Sequence, residues 1–186
     1  MASTGEVACF GTSKHEAFLK ALISSNFKMP KKNVLVSTQF KHRDDFVHLT
    51  HKLNELGFNL HATADTHEFL KAHEVETKLL DTPKKTEAEN DADDNVMHYL
   101  KEGKIDLVIN LHTSDPQEAE NNYTIRRTAA DFSIPLLTNL PLTELFVESM
   151  DIHHQQPFLG LEAGSLFDYY ANEPVEEAWT APTEFH

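Results

Sequence analysis

Two short runs, "KNVLVST" at 32–38 and "IDLVINL" at 105–111, constrain the fold more than anything else in the chain. Each is apolar at consecutive rather than alternate positions and rich in β-branched residues, the profile of a strand covered on both faces of a parallel sheet. Parallel neighbours need crossover connections, and helical patterns lie between the strand-like runs. "DDFVHLTHKLNELG" spaces Phe46, Leu49, Leu53 and Leu56 at three and four, with Asp44 and Asp45 at its start and Gly57 as a C-cap. "FNLHAT" then reads as a second strand, "THEFLKAHE" as a short helix and "VETKLL" as a third strand. "NVMHYLKEGK" and "NNYTIRRTAADFS" read as helices on either side of "IDLVINL", "IPLLTN" as a fifth strand and "LTELFVESM" as the closing helix. A further helical stretch, "HEAFLKALISSNF", precedes the first strand. The expectation is an α/β fold, a doubly wound and mostly parallel sheet of about five strands with helices on both faces.

With 186 residues the chain fits one domain of ordinary size. Its 16 Lys and Arg against 30 Asp and Glu give a formal charge of −14, which repels nucleic acid and anionic lipid at long range. No apolar stretch reaches the roughly 18 residues a membrane span needs, and "MASTGEVACF" lacks the pattern of a secretory signal. One cysteine, Cys9, rules out an internal disulfide framework and a four-cysteine zinc site. The chain therefore reads as intracellular, and its opening in mid-theme suggests an excised fragment. Thr82 to Asp94, "TPKKTEAENDADD", is almost free of apolar residues and reads as a surface loop, and the tail from about Asp151 has no clear period, so partial order is expected there.

In such sheets ligands sit beyond the C-terminal strand ends. That rule selects Ser37 and Thr38, Thr63 and Thr66, Asn110 to Ser114, and Thr138 and Asn139. Hydroxyls, amides and helix N-terminal N–H groups make a cradle for a carboxylate or phosphate, with Arg43, Arg126 and Arg127 as candidate charges. Equally, the threonines can cap helices and the arginines can pair with surface acids. His112 with Asp115 forms a candidate acid-base pair, for which a loop histidine and a turn acid is the plainer account. Asp93 and Asp94 precede a helix and are explained by N-capping. The twelve histidines, among them His48 and His51 on one helix, complete no familiar metal-ligand spacing, and no phosphate-loop or dinucleotide-binding glycine motif is present.

"STGEVACFG", "AFLKALISSNFKMPKKNVLVS", "KIDLVINL", "NNYTIRRTAADFSIPLLTN" and "LFVES" together resemble the C-terminal end of carbamoyl-phosphate synthetases, where the synthetase unit joins a methylglyoxal synthase-like (MGS-like) regulatory domain. "SLFDYY" resembles the end of the urea-cycle, mitochondrial type, using ammonia or glutamine, rather than the pyrimidine-pathway fusion enzyme. The resemblance implies that residues 1–29 end the second ATP-using unit, 30–150 form the allosteric domain and 151–186 the tail. It implies an effector pocket at Thr63, Thr66, Asn110, Thr113 and Asn122, with Arg43 and Arg126 or Arg127 at its edge.

The implied effector is a small anion, N-acetyl-L-glutamate first. The implied partners are the synthetase domains of the parent chain, with ATP and magnesium confined to them, no cofactor or metal in this domain, and a mitochondrial matrix location. Thr82 stands where activated members carry a tryptophan and Thr113 where they carry an asparagine. Loss of that aromatic wall removes about 1 to 3 kcal/mol of apolar contact, roughly ten- to a hundredfold in affinity. The alternative is a nucleotide effector (UMP, UTP or IMP), as in the biosynthetic branches. A remote one is methylglyoxal synthase itself, for which Asp93 aligns roughly with an acid of that enzyme while its phosphate loop and histidine are not matched in place.

Overall fold

The computed structural model describes residues 7–38, 43–84, 92–111 and 116–155, the side chains of residues 43 and 116–119 excepted. Six helices and five strands alternate among these: α1 Lys14–Ser24, β1 Asn33–Ser37, α2 Arg43–Glu55, β2 Asn59–Ala62, α3 Ala64–Ala72, β3 Lys78–Leu79, α4 Val96–Lys101, β4 Leu107–Asn110, α5 Pro116–Asp131, β5 Leu136–Leu137 and α6 Leu140–Gln155. The strands form one parallel sheet in the order β3-β2-β1-β4-β5. The doubly wound α/β architecture expected from the two apolar runs is the one observed.

Why those runs carry no alternation is visible in the packing. Val34, Val36, Leu60, Ala62, Leu107 and Ile109 face one layer, formed with Phe46, Leu49 and Leu53 of α2, Leu70 of α3 and Phe146 and Val147 of α6. Leu35 and Val108 face the other, with Val96 and Leu100 of α4 and Ile125 and Ala129 of α5. Because each face has its own helices, every β1 and β4 position from 34 to 36 and from 107 to 109 is buried. α2 ends as its sequence dictates: Gly57 takes φ 86°, and the Phe58 and Gly57 N–H groups return to the Leu53 and Asn54 carbonyls.

α1 joins this body rather than standing apart from it. Phe18, Leu22, Phe27 and Met29 pack on the first layer, the Phe27 and Phe146 rings lying 5.8 Å apart and tilted. His15 Nδ1 is 3.1 Å from Ser149 Oγ, and the Ser149 hydroxyl donates to the Leu145 carbonyl at 2.6 Å, so His15 is the donor. The turn before α1 is tight: a Cβ on Gly11 would lie 2.6 Å from the Ala17 nitrogen and 2.9 Å from Glu16 Cβ. Gly11→Ala is therefore expected to cost about 1 to 3 kcal/mol, read as a lower melting temperature at unchanged far-UV helicity.

Several boundaries differ from the sequence reading. β3 pairs at Lys78 and Leu79 alone. The expected strand residues before them are held by side chains, Asn54 Nδ2 donating to the Glu76 carbonyl and His67 bonding Thr77. α5 starts at Pro116, five residues earlier than "NNYTIRR" suggests, at a residue whose missing N–H suits a first helical position. α6 runs on to Gln155, five residues into the segment expected to open the tail, and 156–186 lie outside the described residues. The N-cap of α4 is Asn95, whose side chain accepts from the Met97 N–H, and not Asp93 or Asp94; Asp94 pairs with Lys78 at 3.2 Å instead. No helix among the described residues is long and apolar enough to cross a membrane.

Candidate functional site

Strand order fixes where a ligand can sit. β1 leads to α2 on one face and its neighbour β4 leads to α5 on the other, so the chain beyond their paired C-terminal ends turns to opposite faces at the switch point of the sheet. A small open cleft of about 90 Å³ lies there, lined by Ser37 and Thr38 after β1, Thr63 to Thr66 after β2, Thr82 after β3, and Asn121, Asn122 and Ile125 of α5. Three parallel strands and one helix from each face thus meet at one point.

The two threonines of "HATADT" have different tasks. Thr66 is buried; its Oγ1 accepts from the Thr38 N–H at 3.1 Å and lies 3.4 Å from the Thr38 carbonyl, which ties α3 to the end of β1. Thr63 occupies the N-cap position of α3, with extended φ and ψ, and its carbonyl accepts from the His67 N–H at 2.8 Å, yet its side chain makes no cap bond. Its hydroxyl therefore borders the cleft uncommitted to the helix, beside the first-turn N–H groups for which a helix has no internal partner. Asp65 brings an exposed carboxylate to the same rim, suited to a ligand N–H rather than to an anionic oxygen. His61, two residues before Thr63, does not line the cleft; it is buried against the Tyr99 ring, and burial holds its pKa below the ordinary value.

The opposite wall is Asn121, Asn122 and Ile125, and behind Asn122 a chain of amides runs back to a guanidinium. Asn122 Oδ1 accepts from Ser37 Oγ at 3.3 Å and from Asn110 Nδ2 at 2.8 Å, and Asn110 Oδ1 accepts from Arg126 Nη1 at 3.0 Å. Asn110 is fully buried, so both ends of its amide are matched. The two arginines part here. Arg126 turns inward to this chain, whereas Arg127 is exposed and pairs with Asp131 one turn on at 3.0 Å, which raises its pKa and leaves it outside the cleft wall.

Thr63, Thr66 and Asn122 thus line one cleft, and Asn110 and Arg126 stand behind Asn122 through hydrogen bonds. Arg43 opens α2, but its side chain is not described, and Thr113, His112 and Asp115 lie outside the described residues. Asn139 is committed to α6, its Oδ1 accepting from the Leu142 N–H at 3.1 Å. Asp93 is exposed and does not line the cleft. His51 contacts the His73 carbonyl, and no group of three His, Cys, Asp or Glu that could hold a metal occurs among the described residues. Sequence reasoning missed Asn121, Ile125 and Asn95. The first two share the spacing that turns Asn122 and Arg126 inward, while Asn95 acts through a contact thirteen residues away, its Nδ2 donating to the Thr82 carbonyl at 3.1 Å.

Over 169 residues the chain is 41% identical to the mitochondrial carbamoyl-phosphate synthase [ammonia] of Homo sapiens, covering 91% of this chain and 11% of that protein. Over 169 residues it is 38% identical to the Multifunctional protein CAD of Squalus acanthias, covering 84% of this chain and 8% of that one. The chain thus spans about a tenth of the length of these relatives. A crystal structure of methylglyoxal synthase from Elizabethkingia anophelis NUHP1 aligns with a TM-score of 0.47 at 19% identity, over 80% of this chain and 95% of that one. The model of the MGS-like domain matches residues 45–138, a span that holds Thr63, Thr66, Asn110, Asn122 and Arg126, and the chain belongs to the MGS-like domain family.

Proposed function

We infer that this chain is the effector-binding regulatory domain of a carbamoyl-phosphate synthetase, without a reaction of its own, and that its cleft takes a small anionic effector, N-acetyl-L-glutamate first. The observation that carries this is Thr63: an N-cap threonine whose hydroxyl does not cap, bordering a cleft whose other wall, Asn122, is tied through Asn110 to Arg126. Hydroxyl, helix N-terminus and a nearby guanidinium suit carboxylate oxygens. The Asp65 carboxylate suits the amide N–H of an acylated amino acid, and the small cleft favours a compact acid over a nucleotide. The name of the human relative supports a synthetase as the partner and the mitochondrion as the location. An effector that binds one arrangement of the domain better than another shifts the attached catalytic body by that difference and no more.

A nucleotide effector, UMP, UTP or IMP, is the second reading, favoured by the 38% identity to a multifunctional protein and by Thr82, which leaves the cleft without an aromatic wall at that position. Calorimetric titration with N-acetyl-L-glutamate, UMP, UTP and IMP in parallel separates the two. Heat with the acetylated amino acid alone supports the first, heat with nucleotides alone the second. Thr63→Ala is expected to weaken effector binding roughly tenfold while leaving the melting temperature nearly unchanged, because no cap bond is lost. Undiminished binding by that variant removes Thr63 from the site.

A further inference from the structure

The described residues that follow β3 and those that precede α4 meet beside the cleft. Backbone hydrogen bonds join them: the Asp81 N–H donates to the Asp94 carbonyl at 2.8 Å, and the Val96 N–H donates to the Asp81 carbonyl at 2.9 Å. Lys78 adds a second tie, bonding Asp94 at 3.2 Å and the Tyr99 hydroxyl at 2.5 Å. These bonds hold the backbone of 81 and of 94–96. None of them reaches Thr82, the next residue and the one that lines the cleft.

Asn95 supplies that contact. It is 1% exposed, and its amide is used at both ends: Oδ1 accepts from the Met97 N–H at 2.8 Å as the N-cap of α4, and Nδ2 donates to the Thr82 carbonyl at 3.1 Å. A serine or aspartate would serve the first task as well as asparagine does. Only a side chain with a donor as well as an acceptor serves both. The buried amide therefore links a residue in the cleft wall to the first turn of a helix on the far layer of the sheet, where Val96 and Leu100 pack against Leu35 and Val108.

We propose that Asn95 is a positioning residue for the cleft: it sets Thr82 in the wall and passes occupancy of the cleft to α4. This rests on the effector-binding reading above. An effector that contacts Thr82 restrains the Thr82 carbonyl, which steadies the Asn95 amide and with it the cap of α4. Steadying a cap slows the opening of the turn it closes. The coupling is reciprocal, so whatever loosens the cap weakens the effector.

Asn95→Ser separates the two tasks, since its hydroxyl keeps the cap and cannot donate over the same reach to Thr82, and it introduces no charge that would act on an anion at a distance. In the 186-residue chain titrated with N-acetyl-L-glutamate, UMP and UTP, Asn95→Ser is expected to melt within a few degrees of the parent and to bind the active probe about tenfold more weakly. In the unsubstituted chain, amide exchange over Val96–Lys101 is expected to slow when that probe saturates the cleft, and in Asn95→Ser this slowing is lost. Affinity equal to the parent's, or a lowered melting temperature with affinity unchanged, overturns the proposal and leaves Asn95 as a cap alone. The exchange measurement needs no variant, so unaltered exchange in α4 at saturation overturns it even where Asn95→Ser does not fold. If the unsubstituted chain binds none of the three probes and not IMP either, the effector reading itself falls and this proposal falls with it.

Discussion

Replacing Asn110 by alanine is expected to lower effector affinity by about 2 to 3 kcal/mol, roughly 30- to 150-fold, the largest functional effect of any single change in the cleft. Asn110 contributes no surface to the cleft, being fully buried at the end of β4, and acts by fixing Asn122, which lines the cleft, and Arg126. Its Nδ2 holds Asn122 Oδ1 and its Oδ1 holds Arg126 Nη1. Without the amide, Asn122 retains the Ser37 hydroxyl alone among these partners, and Arg126 loses the acceptor that points it inward.

Leaving partly buried donors unmatched costs about 1 to 3 kcal/mol in stability as well, so a melt must accompany the titration. Asn110→Asp sharpens the test. The carboxylate keeps shape and strengthens the bond to Arg126, but turns a lone pair against Asn122 Oδ1 and sets a negative charge behind an anion site. It is expected to bind an anionic effector as poorly as the alanine variant while melting above it. An Asn110→Asp variant that binds like the parent shows that the amide chain does not form the anion wall.

How much of this was legible in the sequence depends on whether the deciding contact is local. β1 and β4 announce themselves because burial on both faces writes itself as an unbroken apolar run, and the strand-end rule then reaches Thr63, Thr66 and Asn110 without any coordinates. The choice between Arg126 and Arg127, open in the motif itself, is also legible: Ile125, Arg126 and Ala129 lie three, four and seven residues after Asn122, the inward stripe of a helix, and Arg127 falls outside it. β3 was overdrawn because "VETKLL" has strand composition, while ladder length at a sheet edge is set by how far the partner strand runs alongside. The cap of α4 was assigned to Asp93 and Asp94 because acids are common there. What decides for Asn95 is a carbonyl thirteen residues upstream and a lysine that draws Asp94 away, neither of which a local pattern contains. The division of labour between Thr63 and Thr66 is likewise tertiary, since only the approach of Thr38 commits the Thr66 hydroxyl.

The largest pH-dependent effect on stability is expected at Glu16, outside the cleft. Its carboxylate is 6% exposed and matched on both oxygens: Lys20 Nζ reaches Oε1 at 2.7 Å, and the Thr12 N–H and hydroxyl reach Oε2 at 2.7 and 2.6 Å. The Lys20 contact first, and then Thr12, hold its pKa down to about 2 against an ordinary 4.5, burial acting the other way. A carboxyl depressed in the folded state stabilises the fold fully above its unfolded value and progressively less as pH falls through the window between the two. The contribution, on the order of 3 kcal/mol at neutral pH, is thus present above about pH 4.5 and lost toward pH 2.

Glu16→Gln removes that charge and leaves Lys20 half-buried without its carboxylate, at a cost of about 2 to 3 kcal/mol, or roughly 4 to 12 °C in melting temperature at pH 7. Between pH 4.5 and pH 2 parent and variant are expected to converge progressively, because the unfolded parent then takes up a proton that the folded parent accepts only near pH 2. Denaturant melts at pH 7, 4 and 3 read both statements, and two curves falling in parallel with acid would refute the assignment to Glu16. The consequence reaches the regulatory reading as well. Glu16 fixes the start of α1, and α1 seats on α6 through His15 and Phe18, so acid or Glu16→Gln loosens the helix that precedes the sheet while β1, β4 and the effector cleft keep their own contacts. Effector affinity measured on Glu16→Gln at pH 7 and 25 °C is accordingly expected to stay within about twofold of the parent.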